Sequence, residues 1–135
     1  MEHKIKVYWG DTDAAGIVYY PNFYKWMDEA THEYFTAIGH PTDGLFNENI
    51  VVPLVETHCN FKQPVLYNVE LIVKSEVEIL KEKVFKVTHQ FYCEDQLMAE
   101  GYEVRVWAST EEGKVKGVPI PNEIKSKFNL KEQIL

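Results

Sequence analysis

The sequence predicts an α+β fold, with one long central helix packed on a curved antiparallel sheet of about five strands. Three observations predict it. Over residues 21–38 the apolar side chains recur every three or four positions, the repeat of a helix with one buried face. From residue 51 onward they alternate with period two in long runs, the repeat of half-buried strands. The joints between runs are short and turn-like, KEK from Lys81 to Lys83 and ED at Glu94 and Asp95, as antiparallel hairpins require.

A short extended segment at residues 4–8 opens the chain and leads into WGDTDAAGIVYYPN, Trp9 to Asn22. That stretch holds two carboxylates and a glycine immediately before a helix start. Pro21 suits the first helical position, because its φ is preset and its missing N–H has no partner to lose there. Phe23, Trp26, Met27, Ala30, Tyr34, Ala37 and Ile38 then form the apolar stripe of a helix of about 18 residues, ~27 Å long. Gly39 and Pro41 supply its stop signal.

Residues 39–49 read as a polar connection. Beyond them, Val69, Leu71, Val73, Ser75, Val77 and Ile79 point one way, while Glu70, Lys74, Glu76 and Glu78 point the other. Residues 51–61, 84–93 and 97–109 read as further strands, with Pro53 and Pro64 at the limits or on the edge of theirs. From Pro119 onward the pattern supports one short helix at most. With 135 residues, 45% of them hydrophobic, and no repeat or linker, the chain reads as a single folded domain over 1–135.

A formal charge of −7 argues against general nucleic-acid affinity, which needs a basic face. Arg105 is the only arginine available for planar recognition of phosphate, so any anionic ligand must be met by local lysines. Cys59 and Cys93 each fall inside a strand-like run and read as reduced thiols rather than a disulfide. The N-terminus carries no apolar stretch long enough for a signal peptide, and nothing approaches a membrane span. The expectation is a cytoplasmic protein without integral membrane association.

Several motifs nearly match and fail. DTDAAG has the first, third and sixth residues of a calcium loop, but Ala15 occupies the fifth position and Asn22 stands where a bidentate glutamate is needed. HEY at His32 lacks the second imidazole of a zinc-protease motif, since Thr36 occupies its place; His32 reads as a solvated helix residue. There is no GxSxG elbow, no phosphate-binding GxxxxGK[ST] loop and no GxGxxG. An aspartyl-phosphatase reading of Asp11 and Asp13 meets a preceding KIKVYWG too polar for the buried parallel strand of that architecture. From residue type and spacing alone, Asp13 is either a turn carboxylate bonding nearby N–H groups or a reactive group. His58 and His89 lie inside strands and read as packed or surface histidines.

The residues GDTDAAGIVYYPNFYKWMDEA resemble the signature of the 4-hydroxybenzoyl-CoA thioesterase family of hotdog-fold proteins, including the YbgC-type acyl-CoA thioesterases. The resemblance extends as a pattern over nearly the whole chain. It implies the hotdog fold and a homodimer or homotetramer in which two sheets join. It implies hydrolysis of an acyl-CoA thioester, CoA entering only as part of the substrate, with no metal and no other cofactor. It assigns the catalytic carboxylate to Asp13, as nucleophile or general base, and polarisation of the thioester carbonyl to the backbone N–H of Tyr20. Asn22 and Phe23 offer further N–H groups at the helix start. Gly16 would let the backbone turn close to the acyl group, Tyr19 and Asn22 would border the substrate, and Asp11 would hold the loop. By analogy with relatives, Lys81, Lys83, Lys114 and Lys116 would meet the CoA phosphates, with Glu82 standing where a basic residue is expected.

Two other readings stay open on sequence. A hotdog hydratase or dehydratase relies on a catalytic histidine, and none lies in this loop. A non-catalytic acyl-CoA-binding protein would keep the fold without the chemistry. The acyl group, aromatic or of short or medium chain, is not fixed by the sequence.

Overall fold

In the computed structural model, which describes residues 1–130, five strands form one antiparallel sheet in the order β1-β4-β5-β6-β3. They are β1 (Glu2–Lys6), β3 (Leu54–Phe61), β4 (Glu70–Lys81), β5 (Val84–Cys93) and β6 (Gln96–Val106). Between β1 and β3 in the chain comes α1 (Pro21–Ala37), whose seventeen residues cross the inner face of the sheet. Side chains Phe23, Trp26, Met27, Ala30, Thr31, Tyr34 and Phe35 are buried; five of them belong to the predicted stripe, while Thr31 and Phe35 join it and Ala37 is exposed and Ile38 half-buried at the helix end.

The helix stops by two hydrogen bonds around a left-handed glycine. Gly39 (φ 87°) donates to the Thr36 carbonyl and His40 to the Phe35 carbonyl, at 3.0 and 2.9 Å. This Schellman arrangement satisfies carbonyls that the last turn leaves open.

Alternation along the strands fills the core as expected. Leu71, Val73, Ser75 and Val77 of β4 face inward, as do Phe85, Val87, His89 and Phe91 of β5. The apolar core falls into two clusters, one around Phe23, Met27, Leu71 and Phe91, the other around Tyr34, Phe35, Phe85 and Trp107. Each fully buried large side chain contributes about 1.5–3 kcal/mol of transfer free energy.

Between the clusters lies a buried polar network that the strand pattern did not reveal. The Thr31 hydroxyl of α1 donates to Glu103 Oε1, and His89 Nε2 lies 3.2 Å from the same oxygen. His89 Nδ1 lies 2.7 Å from Ser75 Oγ. Arg105 Nη2 reaches Glu103 Oε2 and Asp28 Oδ1, both at 2.7 Å, while Nη1 donates to the Val52 carbonyl. The chain's single arginine is therefore locked inside the protein. His89 is fully buried, whereas His32 keeps much of its side chain in solvent and also contacts Thr42 and Asp28. Burial alone would push the Glu103 carboxyl up, but the hydrogen bond from His89 and the adjacent Arg105 charge outweigh it and hold the group at about 2.

Other departures are local. The run expected over 51–61 breaks at Val52 and Pro53 into β2 (Ile50–Val51) and β3, because Pro53 has no N–H to continue a ladder. The run over 97–109 breaks at Trp107, leaving β7 (Ala108–Ser109) to pair with β2 and with β8 (Lys116–Gly117) in a second small sheet. The expected polar connection contains a short helix, α2 (Thr42–Asn47), anchored by buried Leu45. The first strand begins two residues earlier than read, and the tail carries α3 (Asn122–Lys125). Both cysteines are free; burial pushes the Cys59 thiol up to about 11. No helix among the described residues is long and apolar enough to cross a membrane.

Candidate functional site

The stretch between β1 and α1 is a braced loop. Trp9–Asp11 forms one tight helical turn, and Asp11 Oδ2 accepts the N–H of Tyr8 at 2.9 Å. The Asp11 carbonyl accepts the N–H of Tyr19 and the side-chain amide of Asn22, both at 2.8 Å. Asp11 thus holds the loop, and the Asn22 amide, expected to border substrate, is spent on the same brace. The Asp13 and Ile17 backbones pair across a turn in which Gly16 adopts φ 79°. A Cβ at Gly16 would meet no protein atom within 4 Å, so the turn needs glycine for its left-handed backbone, not for protein space.

Asp13 itself is exposed. Its Oδ1 accepts the N–H of Ala15 at 2.8 Å, the turn bond that residue type suggested. Its other carboxylate oxygen has no partner among the described residues. One oxygen thus shapes the turn and the other is left open to the cleft.

At the start of α1 the backbone donors sort themselves. The N–H of Asn22 is taken by the Tyr19 carbonyl and that of Phe23 by the Tyr20 carbonyl, at 3.0 and 3.1 Å. Pro21 has none. That leaves the N–H of Tyr20 without an acceptor among the described residues, at the positive end of the helix dipole. Of the three donors expected there, one remains available.

Asp13 and Tyr20 line a cleft of about 410 Å³ together with Ile17, Val18, Phe23 and the segment Phe61 to Val65. Phe23 and Phe61 pack at 5.3 Å between ring centroids, with Tyr20 6.4 Å from Phe61. The two walls are stitched together: Val18 donates to the Val65 carbonyl at 2.8 Å, and Ile17 bridges to Leu66. Phe61, Lys62, Gln63 and Val65 were not singled out from the sequence; the strand stop at Pro64 was the one signal for this wall. Tyr19 is exposed, stacks edge-on against Tyr20 at 5.4 Å, and does not line the cleft.

The lysines lie elsewhere. Phe61, Ala99, Phe91 and Val73 form one row across the sheet, while Lys81 pairs with Val84 at the far end of β4. Eight residues at about 3.3 Å each put Lys81 roughly 26 Å along the sheet from the cleft. Lys83 is at the same end, packed on Gly117 next to Lys116 in β8, with Lys114 in the preceding turn. One chain does not bring these four exposed cations to its own Asp13.

The profile of the thioesterase-like superfamily matches residues 7–128. A solved gentisyl-coenzyme A thioesterase is 41% identical, covers 93% of this chain and 99% of its own, and superposes with a TM-score of 0.84. The 4-hydroxybenzoyl-CoA thioesterase of Pseudomonas sp. (strain CBS-3) is 27% identical over 129 residues, 90% of each chain. The 1,4-dihydroxy-2-naphthoyl-CoA hydrolase of Synechococcus sp. (strain WH7803) is 30% identical over 122 residues, 84% of this chain and 80% of that one. A match over nearly the whole chain, on a five-stranded antiparallel sheet with α1 laid across it, settles the family: the chain belongs to the thioesterase-like superfamily and is a hotdog-fold thioester hydrolase of the 4-hydroxybenzoyl-CoA thioesterase type.

Proposed function

We propose that the chain hydrolyses CoA thioesters of hydroxylated aromatic acids, releasing the acid and CoA. The relatives just described are named for gentisyl, 4-hydroxybenzoyl and dihydroxynaphthoyl esters, and a cleft walled by Phe23, Phe61 and Tyr20 suits a flat aromatic acyl group. The observation that carries the reading is the pairing, across one cleft, of an unsatisfied backbone donor at Tyr20 with a free carboxylate oxygen at Asp13.

In this reading the thioester carbonyl accepts the Tyr20 N–H. Negative charge grows on that oxygen during attack, and a fixed donor at a helix start stabilises it without reorganising. Asp13 attacks the carbonyl carbon, giving a mixed anhydride that water cleaves, or takes the proton of an attacking water. Either way the C–S bond breaks with its electron pair passing to sulfur. No metal or redox cofactor takes part.

The site is completed by a second copy. The β3 edge pairs on one side only, with β6, and its exposed Leu54 and Val55 support pairing with another β3. Antiparallel pairing about a two-fold axis would set the Leu54 end of one chain against the Phe61 end of the other. The partner's lysine-bearing end would then approach this chain's cleft, which accounts for the ~26 Å separation within one chain. Two free thiols support a cytoplasmic setting.

The test is thiol release from a panel of aromatic, short-chain and medium-chain acyl-CoA esters by wild type and Asp13→Asn. Turnover should be highest on hydroxyaroyl esters and fall by at least about a hundredfold in the variant, with an unchanged urea midpoint. Near-normal release by Asp13→Asn, or no release from any ester by wild type, would sink the proposal.

A further inference from the structure

Every charged side chain of the cleft is accounted for above except one. Among the residues lining it, Asp13 is the single carboxylate and Lys62 the single cation. Lys62 forms no ion pair among the described residues, with Asp13 or with any other carboxylate, and it is exposed. Two opposite charges thus share one cleft without touching.

The segment that carries Lys62 is held firmly. The N–H groups of Lys62 and Gln63 both donate to the Met98 carbonyl, at 2.9 and 3.1 Å, and Pro64 fixes the next φ. Val65 is buried and its carbonyl holds Val18. The root of the Lys62 side chain is therefore fixed against the signature loop, while its ammonium stays free to move within the reach of a flexible stem.

We infer that Lys62 is a further catalytic residue, whose ammonium stands against the sulfur of the thioester and stabilises the departing thiolate. This rests on the thioesterase reading of the cleft. The positions around the tetrahedral carbon follow by elimination. The oxyanion faces the Tyr20 N–H, and the attacking oxygen comes from the Asp13 side. The aromatic acyl group takes the Phe23 and Phe61 rings, which leaves sulfur to the remaining wall, where Lys62 is the one charged group. When the C–S bond breaks, the electron pair stays on sulfur. The thiolate is then neutralised by the ammonium and afterwards takes a proton from solvent. A departing alkyl thiolate carries a full negative charge in a partly dry cleft, and a nearby ammonium lowers the cost of forming it.

The prediction is a dependence on the leaving group. Single-turnover rates are measured for wild type, Lys62→Met, Lys62→Gln and Lys62→Arg on two esters of the same aromatic acid. One ester is that of CoA; the other is that of an acidic aryl thiol whose thiolate needs little stabilisation. Lys62→Met and Lys62→Gln should slow the CoA ester on the order of tenfold and the aryl ester by less than about threefold, with Lys62→Arg close to wild type. Equal slowing of both esters, no slowing, or a change confined to KM would overturn the assignment. Failure of wild type to cleave any acyl-CoA would instead remove the underlying thioesterase reading, so the two failures are distinguishable. The urea midpoints should stay together, because the Lys62 side chain is exposed and bonds no partner among the described residues, while its backbone N–H bond to Met98 is kept in every variant.

Discussion

Replacing Glu103 by Gln gives a stability difference that depends on pH in a calculable way. In the unfolded chain this carboxyl titrates at 4.5, and in the folded protein at about 2. Between those values the folded state binds fewer protons than the unfolded one, so stability falls as the pH drops through that window. The contribution is complete above the unfolded value and is lost towards the folded one. Lowering the pH from about 7 to about 3.5 therefore removes stability on the order of 1 kcal/mol through this group alone.

The variant has no proton to take up there. It starts from lower stability at neutral pH, because Arg105 is left buried with only the half-exposed Asp28 as counter-charge, a loss of about 3–5 kcal/mol. Urea unfolding of both proteins at the two pH values reads the effect as a difference, since the remaining carboxylates titrate in both. The gap between wild type and Glu103→Gln should narrow by on the order of 1 kcal/mol on acidification. A gap of the same size at both pH values would refute the assignment of Glu103 as the ionised centre of the network.

Two further predictions concern the sheet. A Cβ at Gly101 would come within 2.5 Å of the His58 carbonyl oxygen and 2.7 Å of Met27 Sδ, so Gly101→Ala must push β3 away from β6. The expected cost is about 1–3 kcal/mol by urea unfolding, with a lowered turnover because β3 carries Phe61 into the cleft; unchanged stability would contradict this packing. Glu94 and Asp95 adopt φ of 46° and 68° in the β5–β6 hairpin. Changing them to Asn and Gly should raise stability by about 0.5–1 kcal/mol without altering turnover, checked by thermal unfolding and thiol release.

The strands were legible because their outward faces carry charge at alternate positions, as Glu70, Lys74 and Glu76 do in β4. The helix was legible from its stripe and its Gly39 stop. The polar network was not, because its members occupy inward slots that period two assigns to apolar residues. Their partners also lie far apart in sequence; Thr31 and Glu103 are separated by 72 positions. His89, between Val87 and Phe91 on the apolar side of β5, was the visible trace of it. At the site, local spacing left Asp13 open between a turn carboxylate and a reactive group, and the resemblance to the family signature is what singled out Asp13 and the Tyr20 N–H, whereas the opposite wall depends on tertiary stitching of Val18 to Val65. The lysines were legible as cations, but their distance from the cleft follows from strand register, which one strand's sequence does not encode.

The donor left open at the start of α1 belongs to the peptide unit, not to a side chain. Substitution at residue 20 can change the size of the cleft yet cannot delete the donor, proline excepted. If that donor polarises the thioester as proposed, divergence in such a protein is steered away from it and towards the walls, at Phe23 and from Phe61 to Val65. On that reading a lineage would exchange one acyl group for another there by ordinary point changes, while the donor itself is inherited with the backbone.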